Sequence, residues 1–275
     1  MIDTRFGMID LGNPAWWKWL YYLLFGLAGG SFLNVVVYRL PRGLSLNHPP
    51  SACPKCGAPI LWFDNIPLAS FINLRGKCRH CKAPISWRYP AIEALAAAMF
   101  LAVYFGMPLL NDYEKAYYIV FGWICIAVFA IDAEFFIIPD SLTYPGFVLG
   151  VAGRLFFYPR WGGVVDALAG AAVFAGTLAI MLWAGSIIFK REAMGWGDVK
   201  YGLAAGGFLG LRASIAALML SVILGAVVSI GLMLIRGKVK RFQEIPFGPY
   251  LVTGSVLGVI FGNALLGWYL SFFRL

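Results

Sequence analysis

Two aspartates stand at the edges of long apolar runs. Asp132 closes one run and opens the string IDAEFFIIPD; Asp198 lies in AMGWGDVK, between Gly197 and Val199, where another run begins. Acidic side chains at membrane depth are costly and rare, so each marks a candidate functional position. As a pair they can activate a water molecule: an ionised carboxylate takes a proton from water while a protonated partner polarises the group under attack. Two carboxyls held close share a proton, which predicts a bell-shaped activity profile around neutral pH. Each aspartate taken alone also fits a helix-terminal cap at the water interface.

Gly195 and Gly197 remove side chains beside Asp198 and permit φ > 0, so that enzyme backbone can lie against an unwound substrate segment. The competing reading is close helix packing, the role expected of Gly202, Gly206, Gly207 and Gly210. Glu134 and Lys200 are supporting positions at the mouth of such a site. Lys200 is placed to favour an ionised carboxylate, to meet an acidic substrate group, or simply to reach the headgroups. Asp140, after Pro139, reads as the N-cap of the next helix. Asn34 and Glu93 lie inside apolar runs and need polar partners, with Arg88 or Arg39 as candidates for Glu93.

A second constellation is built from sulfur. Cys53 and Cys56 form CPKC, and after 21 intervening residues Cys78 and Cys81 form CRHC. Two CxxC knuckles so spaced match a zinc ribbon, in which four thiolates close a tetrahedral shell and leave no position for water. That geometry makes the metal structural. Lys55, Lys77, Arg79 and Lys82 around the knuckles offset the thiolate charge. His80 reads as a surface residue and Cys125, within an apolar run, as a small core residue. Disulfides are the alternative, disfavoured in a reducing compartment.

The elements that must hold these groups are membrane helices. Of the 275 residues 61% are hydrophobic and 13% charged, with a mean hydropathy of +0.78; soluble domains carry about 25% charged residues. Apolar runs predict eight spans, at about 16–38, 91–107, 115–133, 142–158, 163–189, 199–211, 213–235 and 249–272. The expected fold is an all-α integral membrane protein with a small zinc-ribbon-like domain between the first two spans. Its divisions are 1–38 (N-terminus and first span), 39–90 (the four-cysteine zinc-binding domain) and 91–275 (the membrane domain bearing the aspartates). The net charge of +9 is a topology signal rather than a nucleic-acid footprint. Eight of the 22 Lys and Arg lie between Arg39 and Arg88, three between Lys190 and Lys200, and four between Arg236 and Arg241. Eight crossings put all three groups on one side, the cytoplasmic one, with both termini on the other.

GSFLNVVVYRLP (30–41), the paired knuckles, NIPLASFINLRGKCRHC (65–81), PISWRYPAIE (84–93), IDAEFFIIPD, AMGWGDVK and IPFGPYLVTG (245–254) follow one another in order. In this the chain resembles the type IV prepilin peptidase family, over residues 29 to 254. The resemblance implies a GxGD-type aspartic protease of the bacterial inner membrane, with Asp132 and Asp198 as its catalytic pair. The substrates implied are prepilin and pseudopilin precursors, cleaved at the cytoplasmic face. It also implies N-methylation of the new N-terminal residue, with S-adenosylmethionine as donor, and a cysteine domain typical of the bifunctional members. The chain departs from the family at Glu134, where Asp is frequent, at Ala193, where Gly is frequent, and at Trp196, where Tyr is frequent. No phosphate loop, Rossmann fingerprint or Ser/His/Asp set is present, so the sequence assigns no donor pocket. The alternatives are a GxGD protease without methyl transfer, and a non-enzymatic zinc-stabilised transporter or scaffold.

Overall fold

The computed structural model describes residues 16–158, 160–190, 194–236 and 246–271. The N-terminal leader, Ala193 and the basic residues Lys238, Lys240 and Arg241 lie outside the described residues. Among those described the chain is helical, with two isolated β-bridges as its only extended pairing. The helices are α1 (Trp16–Arg39), α2 (Ala69–Asn73), α3 (Arg88–Gly106), α4 (Asp112–Phe135), α5 (Asp140–Phe157), α6 (Arg160–Phe189), α7 (Trp196–Arg236) and α8 (Gly248–Ser271). Among the described residues five stretches are long and apolar enough to cross a membrane: Trp17–Arg42, Arg88–Gly106, Asp112–Phe135, Trp161–Ile188 and Trp196–Ile235. Gly248–Gly262 is a shorter apolar helix, and α5, which carries Asp140 and Arg154, is not among the five.

Contacts divide the chain into two compact units, Met1–Val36 with Ser45–Ile119 and Val37–Leu44 with Val120–Leu275. In the first unit α1 and α3 pack antiparallel through small residues. A Cβ on Gly26 would meet the Ala97 backbone at 2.7 Å, and one on Gly30 the Glu93 backbone at 2.6 Å. Such contacts drive helix association where lipid removes the hydrophobic incentive. The polar residues inside these helices find backbone partners. Asn34 Nδ2 donates to the Tyr89 carbonyl at 3.0 Å, and Glu93 accepts from the Leu68 N–H at 2.8 Å. A loop amide is thus a partner of Glu93, beside the arginines that residue types alone suggest.

The second unit is built on α7, which doubles back at Gly210. Its first arm, 196–209, runs antiparallel to α6: Gly202 meets Ala175 and Gly206 meets Ala171. Its second arm, 211–236, runs antiparallel to α8, where Gly262 meets Ala213, Gly258 meets Ala217 and Gly254 meets Ser221. The two spans expected at 199–211 and 213–235 are these arms, joined through one residue. Gly210 sits at φ 71, ψ 178, and a Cβ there would collide with Asp166. The reversal strands backbone groups on both sides, and one ion pair meets them. Arg154 on α5 donates to the carbonyls of Phe208 and Leu209 and to Asp166 on α6 (2.9 Å); Asp166 in turn accepts the Leu211 N–H at 3.0 Å. Arg154, a buried charge in an apolar unit, therefore ends one helix while its partner starts the next.

Gly210→Ala should cost on the order of 1–3 kcal/mol, because an L-residue is strained at that φ and its Cβ displaces Asp166. Gly231→Ala, with nothing within 4 Å of the new methyl, should be neutral. Thermal unfolding in detergent distinguishes them: equal midpoints for the two variants would contradict this account of the turn.

Candidate active site and metal centre

Three helix ends meet around the aspartates. Asp132 occupies the last turn of α4, and the chain leaves that helix through Phe136, whose φ of 58 ends it. Asp198 is the third residue of α7, its N–H bonded to the Gly195 carbonyl at 3.2 Å. Both are buried, at 5% and 8% exposure, and their charges are within electrostatic reach of each other. The third end is that of α8. Gly248, its first residue, donates its N–H to Asp132 Oδ2 at 2.9 Å. That donor is one of the four that every helix N-terminus leaves unsatisfied, in a place where a carboxylate is favoured. The cap reading of Asp132 therefore fits one oxygen, which accepts the first N–H of α8.

The glycines beside Asp198 have different surroundings. Gly195 is exposed, and a Cβ there would approach only Asp198 Oδ2 and the Gly197 nitrogen. Gly197 is pressed against the α4–α5 connection, where a Cβ would lie 3.1 Å from that of Ile138. Gly195 thus keeps the approach to the carboxylate open, while Gly197 lets the start of α7 pack on Ile138.

The supporting positions separate. Lys200 turns to the first residue of α5 and binds both oxygens of Asp140, at 2.7 and 2.8 Å. Its ammonium is committed to that carboxylate rather than to Asp198. Asp140 lies inside α5, whose N-cap is Pro139, so its role is this ion pair and not the cap expected of it. Glu134 is exposed, two residues past Asp132. Cys125 is buried, with its sulfur 3.5 Å from the Tyr201 hydroxyl.

Gly248 is the residue that sequence reasoning missed. The signal was present: a Gly-Pro pair opening an apolar run is a helix-start pattern. Nothing in the spacing, however, says that this start lies against a residue 116 positions away.

The four cysteines are free thiols whose sulfurs all lie within 4.8 Å of one another. A zinc with Zn–S bonds of about 2.3 Å separates its ligand sulfurs by about 3.8 Å, and Cys53 and Cys81 stand at 3.9 Å. The donor set fits a closed tetrathiolate site. Its two halves are copies of one turn, CPKCGAPI and CRHCKAPI. In each, the first cysteine N–H donates to the alanine five residues on (Cys53 to Ala58, 2.9 Å; Cys78 to Ala83, 2.8 Å), and a bridge closes behind (Ala52 with Pro59, Lys77 with Pro84). Gly57 and Lys82 hold the same left-handed position, at φ 71 and 58. The backbone N–H groups of Lys55 and Cys56 pull the Cys53 thiol down to about 6, toward the thiolate that metals bind. Arg79, inside the second knuckle, grips Asp64 bidentately at 2.6 and 2.7 Å and holds that carboxyl below its usual range.

Two buried carboxylates at helix ends beside glycines, in a chain with several membrane-length apolar helices and a four-cysteine module, fit the class of polytopic aspartic peptidases. Comparison with known proteins narrows it. Residues 24–107 match the bacterial peptidase A24 N-terminal domain, and residues 119–230 match the type IV leader peptidase family. An Aeromonas hydrophila protein named prepilin leader peptidase/N-methyltransferase is 36% identical over 93% of this chain and 96% of its own. Proteins of the same name from Myxococcus xanthus (38%, over 83% and 68%) and Pseudomonas aeruginosa (32%, over 91% and 92%) are also similar. The chain belongs to the type IV leader peptidase family. No solved structure matches it.

Gly248→Ala should lower the cleavage rate on the order of 10–100-fold, since the added methyl would sit 2.6 Å from Asp132 Oδ2 and push the carboxylate out of line. The check is kcat with a prepilin substrate, alongside a thermal midpoint that stays near that of the parent. Metal analysis of purified protein should give about one zinc equivalent, lost from Cys53→Ser and Cys78→Ser. Active protein with no metal would refute the tetrathiolate site.

Proposed function

We propose that this chain is a bifunctional prepilin leader peptidase and N-methyltransferase, with Asp132 and Asp198 as its proteolytic pair. The observation that carries the proteolytic half is the meeting of two buried carboxylates at helix ends, beside an exposed glycine. The free oxygen of the ionised partner takes a proton from water. The hydroxide equivalent attacks the scissile carbonyl while the protonated partner donates to its oxygen. Collapse of the tetrahedral intermediate expels the amine, which leaves with a proton from the pair. The Gly248 N–H keeps Asp132 oriented without consuming its second oxygen. Gly195 leaves room for a substrate backbone that must be unwound before its carbonyl can be attacked.

Methyl transfer fits the names of the relatives and the presence of the cysteine module. S-adenosylmethionine would supply a sulfonium methyl group to the new α-amine, with its thioether as the leaving group. No carboxylate pair is needed, because the donor already carries its leaving group; positioning is the main requirement. Zinc, held by Cys53, Cys56, Cys78 and Cys81, shapes the module and takes no part in either step. The bias of Lys and Arg supports a topology with the module and both aspartates on the cytoplasmic side of the inner membrane and both termini periplasmic.

The decisive experiment is mass spectrometry of a prepilin incubated with the purified protein, with and without S-adenosylmethionine. Loss of the leader in both arms and a gain of one methyl group only with the donor is the expected result. Asp132→Asn and Asp198→Asn should each abolish cleavage yet still methylate a synthetic pre-cleaved pilin N-terminus. Cleavage by either folded variant would remove the carboxylate mechanism; loss of methylation in both would show that the two activities share a site.

A further inference from the structure

The segment 60–73 (ILWFDNIPLASFIN) sits between the two knuckles and is apolar, yet little of it is covered. Trp62 is 82% exposed and Ile72 71%, and Leu61 and Ile66 are also exposed. Its depth is fixed by the bond between the Leu68 N–H and Glu93, at 2.8 Å. Glu93 is five residues beyond Arg88, the first residue of α3, so this contact lies about 7.5 Å along that helix. The nineteen residues of α3 span about 28 Å, close to the roughly 30 Å of a hydrocarbon core. With Arg88 at the hydrocarbon boundary, Leu68 lies below it. The loop turns back along the helix into the membrane.

The backbone of this stretch suits that depth. Pro67 has no N–H to satisfy. Ala69 N–H bonds to the Pro67 carbonyl, Ser70 N–H and hydroxyl to Ile66, Ile72 N–H to Leu68, and Leu74 N–H to Ser70. Backbone that meets its polar groups internally can lie at the headgroup–acyl boundary, where the groups left over still reach water, but not in the hydrocarbon itself. Charge is arranged to match: Arg75 and Lys77 follow the segment directly, and Asp64, the one acidic residue between Arg39 and Arg88, is neutralised by Arg79. An exposed apolar and tryptophan surface rimmed by cations fits a membrane interface bearing anionic headgroups.

We propose that residues 60–73 form a re-entrant interfacial segment, with Trp62, Ile66 and Ile72 seated in phospholipid at the headgroup–acyl boundary. The module is then docked on the membrane by its own apolar edge as well as tethered to it by α1 and α3. The inference requires that α3 crosses the bilayer with Arg88 at the hydrocarbon boundary, and stands whichever chemistry the aspartates perform.

The test is photocrosslinking of the full-length protein in nanodiscs of phosphatidylethanolamine and phosphatidylglycerol. A benzophenone amino acid is placed at position 62, at position 72 or, as a control, at exposed Lys55. Variants are checked for bound zinc and prepilin cleavage before irradiation. Phospholipid adducts at 62 and 72 at least about fivefold above those at 55 are expected, with or without added prepilin. Adducts no more frequent than at 55, or crosslinks to prepilin or to a second copy in place of lipid, would overturn the proposal. Since cleavage is measured separately, that result would leave the peptidase reading intact.

Discussion

A buried carboxylate costs several kcal/mol unless polar groups meet it, and Asp132 is met by the end of a helix. The Gly248 N–H to Asp132 bond satisfies an amide that has no partner in its own helix, and orients the buried carboxylate. It also requires that the residue at the start of α8 have no side chain, because a methyl would occupy the position of the carboxylate oxygen. One hydrogen bond thus couples the identity of residue 248, the beginning of α8 and the free valence of Asp132. The same lack of side chains recurs at Gly195 and Gly197, where it serves access in one case and packing against Ile138 in the other.

For α8 to arrive there, α7 has to return. A straight helix of 41 residues would extend about 60 Å and carry its second half away from the aspartates. The reversal at Gly210 brings the start of α7 and its second arm, through α8, back to the same end of the unit. It can occur in an apolar setting only because the exposed carbonyls of Phe208 and Leu209 and the N–H of Leu211 are taken by Arg154 and Asp166. A buried ion pair is seldom a net source of stability; here its value is in making a turn feasible where water cannot. The Lys200–Asp140 pair joins the starts of α7 and α5 at the other end of the same arm.

Much of this was legible from residue types. Long apolar runs give the helices to within a few positions, since in lipid the backbone has little choice but to hydrogen-bond within a helix. The aspartates and cysteines stand out because their burial or clustering has a cost that only chemistry or a metal would justify. Pairings were not legible. Lys200 lies two residues from Asp198 in sequence, yet a helix turns about 100° per residue and points the lysine toward Asp140. Glu93 meets a backbone amide, and backbone amides are invisible to any reading of side-chain types. Nothing in the residue types marks Arg154 and Asp166 as the pair that caps the turn at Gly210. The twinned knuckles, by contrast, are visible as CPKCGAPI and CRHCKAPI, and the period of 25 residues between Cys53 and Cys78 could have been taken as a repeat of structure as well as of ligands.

The cysteine module shows why a metal and a membrane belong together in this chain. A polypeptide of about fifty residues cannot bury enough apolar surface to hold a fold by packing alone. Four cysteines whose sulfurs lie within 4.8 Å of one another can supply the cross-link through one metal ion, and the Arg79–Asp64 pair fastens the second knuckle to the segment that carries Trp62. What remains is an apolar edge that the module cannot cover with its own residues. In free solution that edge would be an aggregation hazard. Held at Leu68 by a glutamate inside a membrane helix, it lies where apolar side chains are solvated by lipid, so the module needs no complete core of its own.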